Sequence, residues 1–151
     1  MQIRVVAIGK VKERYLQEGI FEYEKRLRPY VKLQVVELAE EKRPQTASPA
    51  TGLAAIEKEG ERILAALPEG SLLIALDVKG QCWSSEELAA SFRDWGLSGQ
   101  NHLTFVIGGD LGLSPAVLAR STIRLSLSRM TFTHPLARLL ILEQIYRACR
   151  I

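Results

Sequence analysis

Hydrophobic and polar positions change their period several times along the chain, and each change predicts a new element of secondary structure. The mostly apolar stretch over residues 2–8 ends at Gly9 and predicts a β-strand. Beyond it, apolar side chains recur at steps of three and four residues, as they do on one face of an amphipathic helix. These side chains are Leu16, Ile20, Tyr23 and Leu27. They predict a helix over residues 13–28.

The pairing of a strand with a helix is repeated along the rest of the chain. Further strands are predicted over residues 31–38, 72–76, 103–107 and 123–127, and further helices over 53–67, 85–95 and 135–149, with a short one that begins at Ser114-Pro115. Residues 40–52 are polar and contain two prolines, which predicts a mobile loop. Five alternations of strand and helix are typical of the α/β class, with a mostly parallel sheet and helices on both faces. The length of 151 residues fits a single domain, residues 1–151.

Two of the predicted helices begin with specific capping signals. Ser84 followed by Glu87 has the spacing of a capping box, in which each side chain binds a free backbone N–H of the first turn. Ser114 suits the N-cap position, and Pro115 suits the first helical position because its missing N–H is not needed there.

Three of the predicted strands are followed by loops of unusual composition. These loops are residues 76–80, 107–112 and 127–132, and the second is rich in glycine. In open α/β sheets, ligands bind in the crevice at the carboxyl ends of the strands, where such loops gather. Glycines let the backbone approach a ligand closely, although tight turns use the same glycines without a ligand. The sequence therefore predicts a ligand site at this edge of the sheet.

The spacing of the remaining motifs excludes several well-known sites. The glycines do not match Gly-x-Gly-x-x-Gly, and residues 129–131 hold no acid for a dinucleotide ribose. Neither a P-loop nor a Gly-x-Ser-x-Gly nucleophile motif occurs in the sequence. The two histidines lie 32 residues apart and the two cysteines 67 apart, which does not match zinc-finger spacing, so no metal is expected.

Composition places the protein in a reducing, aqueous compartment. The longest apolar runs span five residues, whereas a membrane-spanning helix needs about 20, so no membrane partner is expected. Arg4 interrupts the first apolar stretch, which argues against a signal peptide. Two cysteines do not make a disulfide framework, and we expect reduced thiols in the cytoplasm.

Positive charge is concentrated near the C-terminus. The whole chain carries +3, yet residues 114–151 hold six arginines and one acid and so carry +5. A basic segment on a nearly neutral body is typical of a protein with an anionic partner, although solvated surface arginines explain the charge equally well.

The ordered set of loops, together with several short motifs, resembles a known enzyme family. The motifs are Thr131-Phe132-Thr133-His134-Pro135, Glu143-Gln144-Ile145-Tyr146-Arg147-Ala148, Gly9-Lys10 and Tyr23-Glu24-Lys25-Arg26-Leu27. Over essentially its whole length the sequence is similar to the small SPOUT-class methyltransferases that methylate N3 of a pseudouridine in 23S ribosomal RNA, the methyltransferase H family. The resemblance implies a C-terminal trefoil knot, S-adenosylmethionine as methyl donor, a homodimer, and 23S rRNA in the ribosome as substrate.

The resemblance assigns the cofactor pocket to residues of the three loops. They are Leu76, Gly108, Gly109, Leu127, Ser128, Arg129, Met130, Thr131 and Phe132. Backbone groups of such loops can read the adenine edge, while Leu76, Leu127 and Met130 can cover its faces. For Leu76 and Leu127, an ordinary place in the core is the alternative.

Methylation of a ring nitrogen also requires a group that removes a proton. His134 suits this role because its ordinary pKa lies near neutral pH; a hydrogen-bonded turn histidine before Pro135 is the alternative. Glu143 is a second candidate base, with an ion pair to Arg147 four residues later as the alternative. We expect Arg138, like Arg129, to hold phosphates or the developing negative charge on the base.

Two further expectations concern the end of the chain. The last predicted helix is apolar around much of its circumference, so it must be covered either by a second subunit or by loops of its own chain. Members of the family end in a Tyr-His-basic tail, whereas this sequence stops at Arg150-Ile151. The second hypothesis is therefore an RNA- or ribosome-binding module that binds the cofactor without turnover.

Overall fold

The computed structural model describes residues 1–42 and 48–151, so part of the predicted loop 40–52 lies outside the described residues. Five strands and five helices follow one another along the chain. In order they are β1 Gln2–Ile8, α1 Arg14–Leu27, β2 Lys32–Leu38, α2 Pro49–Ala65, β3 Leu72–Cys82, α3 Ser85–Leu97, β4 His102–Ile107, α4 Pro115–Arg120, β5 Ile123–Ser126 and α5 His134–Arg150. The predicted alternation of strand and helix is confirmed.

The strands form one parallel sheet in the order β2-β1-β4-β3-β5. On one face the core joins the sheet to α1, α3 and α5, and on the other face it joins the sheet to α2 and α4. The central strands β1 and β4 are mostly apolar and are buried at most positions, because both of their faces are covered. The α/β class with helices on both faces is therefore confirmed. The trefoil knot stays a prediction.

The capping signals read from the sequence are confirmed. Glu87 N–H donates to Ser84 Oγ at 3.0 Å, and Ser84 N–H donates to Glu87 Oε1 at 2.9 Å. At α4, Ser114 Oγ accepts from Val117 N–H at 3.2 Å, and Pro115 takes the first helical position. Both helix starts are thus fixed by short-range contacts.

The predicted end of the third strand at residue 76 is wrong. β3 continues to Cys82, because Leu125 of β5 is paired first with Leu76 and then with Gln81. Residues 77–80 form a bulge inside the strand rather than a free loop. A Cβ on Gly80 would lie 2.5 Å from the carbonyl oxygen of Arg124, so glycine lets the chain return to the β5 ladder.

The predicted loop 40–52 is too long at its C-terminal end. α2 begins at Pro49, with Ser48 as its N-cap; the Ser48 Oγ accepts from Thr51 N–H at 3.2 Å. Proline suits the first turn of a helix as well as a loop, and here it begins the helix.

The last helix, α5, is packed against other helices of the same chain. It packs against α1 and α3, which help to bury Ile141, Leu142 and Ile145 completely. The cover comes from helices rather than from the loops that the alternative expectation invoked.

Within residues 1–42 and 48–151, no helix combines the length and hydropathy that crossing a bilayer requires.

Candidate active site

The strand register brings the starts of the three predicted loops to one edge of the sheet. Ala75 of β3 is level with Val106 of β4, and Leu76 is level with Leu125 of β5. In the sheet, β4 and β5 lie on either side of β3, so Gly108 and Leu127 follow the two strands that flank Leu76. Neighbouring strands lie about 4.8 Å apart. Because the strands are parallel, all three positions belong to the carboxyl edge, where α/β sheets bind ligands.

A crevice is expected between β1 and β4, because chain connections leave these neighbours in opposite directions. β1 leads to β2 on one side, and β4 leads to β5 on the other. The ends of the two strands are in contact: a Cβ on Gly109 would lie 3.3 Å from Cγ2 of Ile8. This is the topological switch point at which ligands bind in such sheets.

The glycine-rich loop after β4 folds tightly back on itself. Gly112 N–H donates to the carbonyl of Gly109 at 3.1 Å, and Gly112 has a φ of +88°. A Cβ on Gly108 would lie 2.7 Å from the carbonyl oxygen of Gly112. The close approach that Gly108 permits is therefore between two parts of the loop, and this loop shape is what the glycines provide.

The loop after β5 combines internal hydrogen bonds with an open apolar surface. Ser126 Oγ donates to the carbonyl of Ser128 at 2.8 Å, and Ser128 Oγ accepts from Met130 N–H at 3.0 Å. The following side chains point outward, and Met130 is 76% exposed. Leu76 and Leu127 are half-buried and pack against the main core. Both leucines therefore belong to the core and still present a surface at this edge.

His134 lies where the loop after β5 meets the end of β1. It is the first residue of α5, and its ring packs against Gly9: a Cβ there would lie 2.8 Å from the imidazole Cε1. Nδ1 is buried and has no hydrogen-bond partner in the described part of the chain. That nitrogen does not fit the alternative of a fully hydrogen-bonded turn histidine, since a buried polar atom with a satisfied role has a partner.

Its surroundings keep His134 neutral. Burial is the largest influence and lowers the pKa of His134 below its ordinary value of 6.5. The carboxylates of Glu40, Asp110 and Glu13 oppose this shift, while the positive charge of Arg138 adds to it. At neutral pH the imidazole therefore has a lone pair available.

Arg138 is engaged inside the protein rather than presented to a ligand. Only 3% of the Arg138 surface is exposed. Its Nη1 donates to Glu37 Oε2 at 2.6 Å, and its Nη2 donates to the Gly9 carbonyl at 3.0 Å. The Nε atom is buried without a partner among the residues described. The guanidinium thus ties α5 to the ends of β1 and β2, which does not fit the expected contact with phosphates.

Glu143 is not brought to the same place. It follows His134 by nine residues, or about 13 Å along α5 at the usual helical rise. Its Oε2 accepts from Gln144 Nε2 at 2.8 Å, and the anticipated ion pair with Arg147 is not among those formed by the described residues. Of the three candidate catalytic residues, the structure groups His134 with Arg138 only.

Sequence reasoning missed two residues of this site. Gly9 was noted only as the end of the first strand and as part of a motif, yet it supports the ring of His134, and its carbonyl accepts from Arg138. Glu37 gave no signal, since a glutamate at the end of an edge strand is ordinary surface composition. No group of His, Cys, Asp or Glu side chains suited to a metal ion occurs within residues 1–42 and 48–151.

Comparison with known proteins extends over the whole chain. The family model described as "Predicted SPOUT methyltransferase" matches residues 1–151. The chain is 54% identical to the ribosomal RNA large subunit methyltransferase H of Carboxydothermus hydrogenoformans and 52% identical to that of Bifidobacterium animalis subsp. lactis. Each match covers 100% of this chain and 95% of the relative.

A solved structure confirms the fold independently of these sequences. It is the crystal structure of a probable methyltransferase from Bordetella pertussis Tohama I, with a TM-score of 0.61 and 16% identity. The match covers 98% of this chain and 96% of that chain. At this identity the likeness concerns the fold alone, whereas the family model and the curated relatives concern the sequence. The chain therefore belongs to the SPOUT methyltransferase family.

Proposed function

We propose that the protein transfers a methyl group from S-adenosylmethionine to N3 of a pseudouridine in a 23S rRNA stem-loop of the ribosome. The register that places Leu76, Gly108 and Leu127 at one edge of the sheet carries the proposal. The names of the curated relatives support ribosomal RNA as the substrate. The pseudouridine and its N3 follow from the sequence resemblance. The proposal treats residues 1–151 as one catalytic domain that acts in the cytoplasm.

The three loops suit an adenosine-containing cofactor. Leu76 and Leu127 present half-buried apolar surfaces to either side of the adenine plane, and Met130 is free to fold over it. Gly108 and Gly109 keep the middle loop compact, so that backbone groups rather than side chains border the pocket. The other residues assigned to it are Ser128, Arg129, Thr131 and Phe132. S-adenosylmethionine, when bound there, supplies an electrophilic methyl group.

His134 is the proposed general base. S-adenosylmethionine held by the loops would supply the methyl group to the uracil N3, with the sulfur of the donor as the leaving group. The N3 proton passes to the neutral imidazole, whose lowered pKa keeps it unprotonated at neutral pH. Arg138 acts as a positioning residue, because it binds the carbonyl of Gly9, the residue against which the imidazole packs. Glu143 lies too far along α5 for this step and is the less favoured base.

A homodimer is proposed on the face that carries α1 and α5. Tyr15 and Phe21 of α1 and Tyr30 beyond it are exposed large hydrophobic side chains. Exposed large hydrophobic side chains are common at interfaces between subunits. Native mass spectrometry at micromolar concentration is expected to show the dimer, and a monomer there would contradict it.

Two measurements test the proposed function together. Isothermal titration with S-adenosylmethionine measures binding, and transfer of a tritiated methyl group to isolated ribosomes measures turnover. We expect saturable binding, label in 23S rRNA, and a single N3-methylpseudouridine in its nucleoside digest. Binding without transfer would instead support the RNA- or ribosome-binding module, and no binding would remove the cofactor site.

Replacing Gly108 with alanine is expected to weaken S-adenosylmethionine binding by about tenfold or more, since a Cβ there cannot coexist with the Gly112 carbonyl 2.7 Å away. The matched control is Gly96→Ala on α3, where a Cβ would meet nothing within 4 Å. Calorimetry compares the two variants. Equal affinities would show that the shape of the β4 loop does not matter for the cofactor.

A further inference from the structure

A polar groove runs along the outer edge of the sheet, beside β5. It has a volume of about 450 Å³ and lies between the bulge of β3 and the turn from α4 into β5. Lys79 and Gln81 border it on one side, and Ser121, Thr122 and Arg124 on the other. Gly80 and the Arg124 backbone approach each other closely there, so part of the groove is lined by backbone.

The two charged side chains of this groove are free cations. Lys79 and Arg124 are exposed, and neither makes a hydrogen bond or ion pair through its side chain within residues 1–42 and 48–151. The acid nearest in sequence, Asp77, is used differently: its Oδ1 accepts from the Lys79 backbone N–H at 3.2 Å and closes the bulge. The groove thus carries two positive charges without a partner.

The neutral groups of the groove add donors of the kind that bind phosphate oxygens. Trp83 Nε1 donates to Gln81 Oε1 at 3.1 Å, which leaves the amide NH₂ of Gln81 as its free group. The Thr122 side chain is exposed, so its hydroxyl is available as well. Lysine, arginine, amide and hydroxyl groups are the set through which proteins contact the nucleic-acid backbone.

The position of the groove ties it to the proposed cofactor site. The bulge that carries Lys79 begins directly after Leu76, and Arg124 lies three residues before Leu127. The groove therefore lies on the same two strands, β3 and β5, whose carboxyl ends border the proposed pocket.

We infer that this groove binds the phosphate backbone of the rRNA strand next to the target base. The inference rests on the proposed function for the identity of the nucleic acid, and on the groove itself for the contact. Exposed charges on an edge strand also prevent sheets from pairing edge to edge. That simpler role requires no groove and predicts no effect on RNA affinity.

The test compares two double variants of equal charge. Lys79→Gln with Arg124→Gln removes the groove cations. Lys32→Gln with Arg93→Gln removes two exposed cations elsewhere, at the start of β2 and on α3. Fluorescence anisotropy with a labelled 23S stem-loop RNA at several salt concentrations measures affinity, methyl transfer to ribosomes gives kcat and KM, and calorimetry gives S-adenosylmethionine affinity.

We expect the groove variant to bind the RNA about tenfold more weakly, with a salt-dependence slope reduced in magnitude by about two, because each lost phosphate contact lowers it by about one. Its KM for ribosomes should rise while kcat and cofactor affinity stay unchanged. Equal RNA affinity of the groove and control variants would overturn the groove assignment and support the edge-protection role. If the unsubstituted protein transferred no methyl group, the proposed function would be wrong. If the unsubstituted protein bound no RNA, the groove assignment would be wrong.

Discussion

Replacing His134 with asparagine is expected to slow methyl transfer by about 100- to 10,000-fold, the usual contribution of a positioned general base. Asparagine retains a polar side chain, but its amide cannot accept the N3 proton at neutral pH. The residues that contact the cofactor are proposed to lie on the loops, so the affinity for S-adenosylmethionine should stay within about twofold of the parent value. Single-turnover transfer to ribosomes, with calorimetry alongside, measures both quantities.

The pH dependence of the methyl-transfer rate distinguishes a general base from a residue with a purely structural role. Burial lowers the pKa of His134 below 6.5, so the imidazole is neutral at pH 7 and becomes protonated only as the pH falls through that lowered value. The parent rate should therefore be flat near neutral pH and fall on the acid side. The His134→Asn variant should lack this acid limb.

The other histidine provides the control. His102 stands at the beginning of β4, at the opposite end of the sheet, and its ring is hydrogen-bonded to the Gln2 side chain. His102→Asn should leave both the rate and its acid limb unchanged. A His134→Asn variant that keeps the parent rate would show that the imidazole is not used in proton transfer.

The elements were predictable because their signals are local. The apolar run of β1 and the Ser84–Glu87 capping box each depend on a few consecutive residues, and in the structure they stand where they were expected. The continuation of β3 beyond Leu76 was not predictable in this way. It depends on the contact of Gly80 with Arg124, a residue 44 positions away whose pairing no local pattern reveals.

The residues of the candidate site likewise fall into those that the sequence predicted and those that depend on distant contacts. Residues on the loops could be named because the strand ends of a parallel sheet share one edge, and the resemblance supplied the rest. The roles of Arg138 and Glu37 could not be read, since their ion pair joins positions 101 residues apart. From sequence, an arginine on a basic helix suggests phosphate binding. Only the fold shows that Arg138 is buried and engaged within the chain.

Replacing Gly9 should show whether the position of the His134 ring affects methyl transfer beyond any loss of protein stability. Gly9 has a φ of +92°, and a Cβ on it would lie 2.8 Å from Cε1 and 3.2 Å from Nε2 of the His134 ring. Gly9→Ala must therefore displace the imidazole, while Arg138 holds the Gly9 carbonyl in place. A displacement of about 1 Å costs about a hundredfold in rate, and the left-handed backbone adds about 1–2 kcal/mol of destabilisation.

Gly99→Ala is the matched control, because Gly99 has a φ of +87° and a Cβ there would meet nothing within 4 Å. Both variants should lose a similar free energy of unfolding in urea denaturation, since both carry the same backbone strain. Only Gly9→Ala should lose methyl transfer, with cofactor affinity retained. If the two variants showed equal activity, the support of the imidazole by Gly9 would not matter for catalysis. A much larger loss of stability in Gly9→Ala would show instead that the contact with His134 serves packing, because the strain alone is common to both.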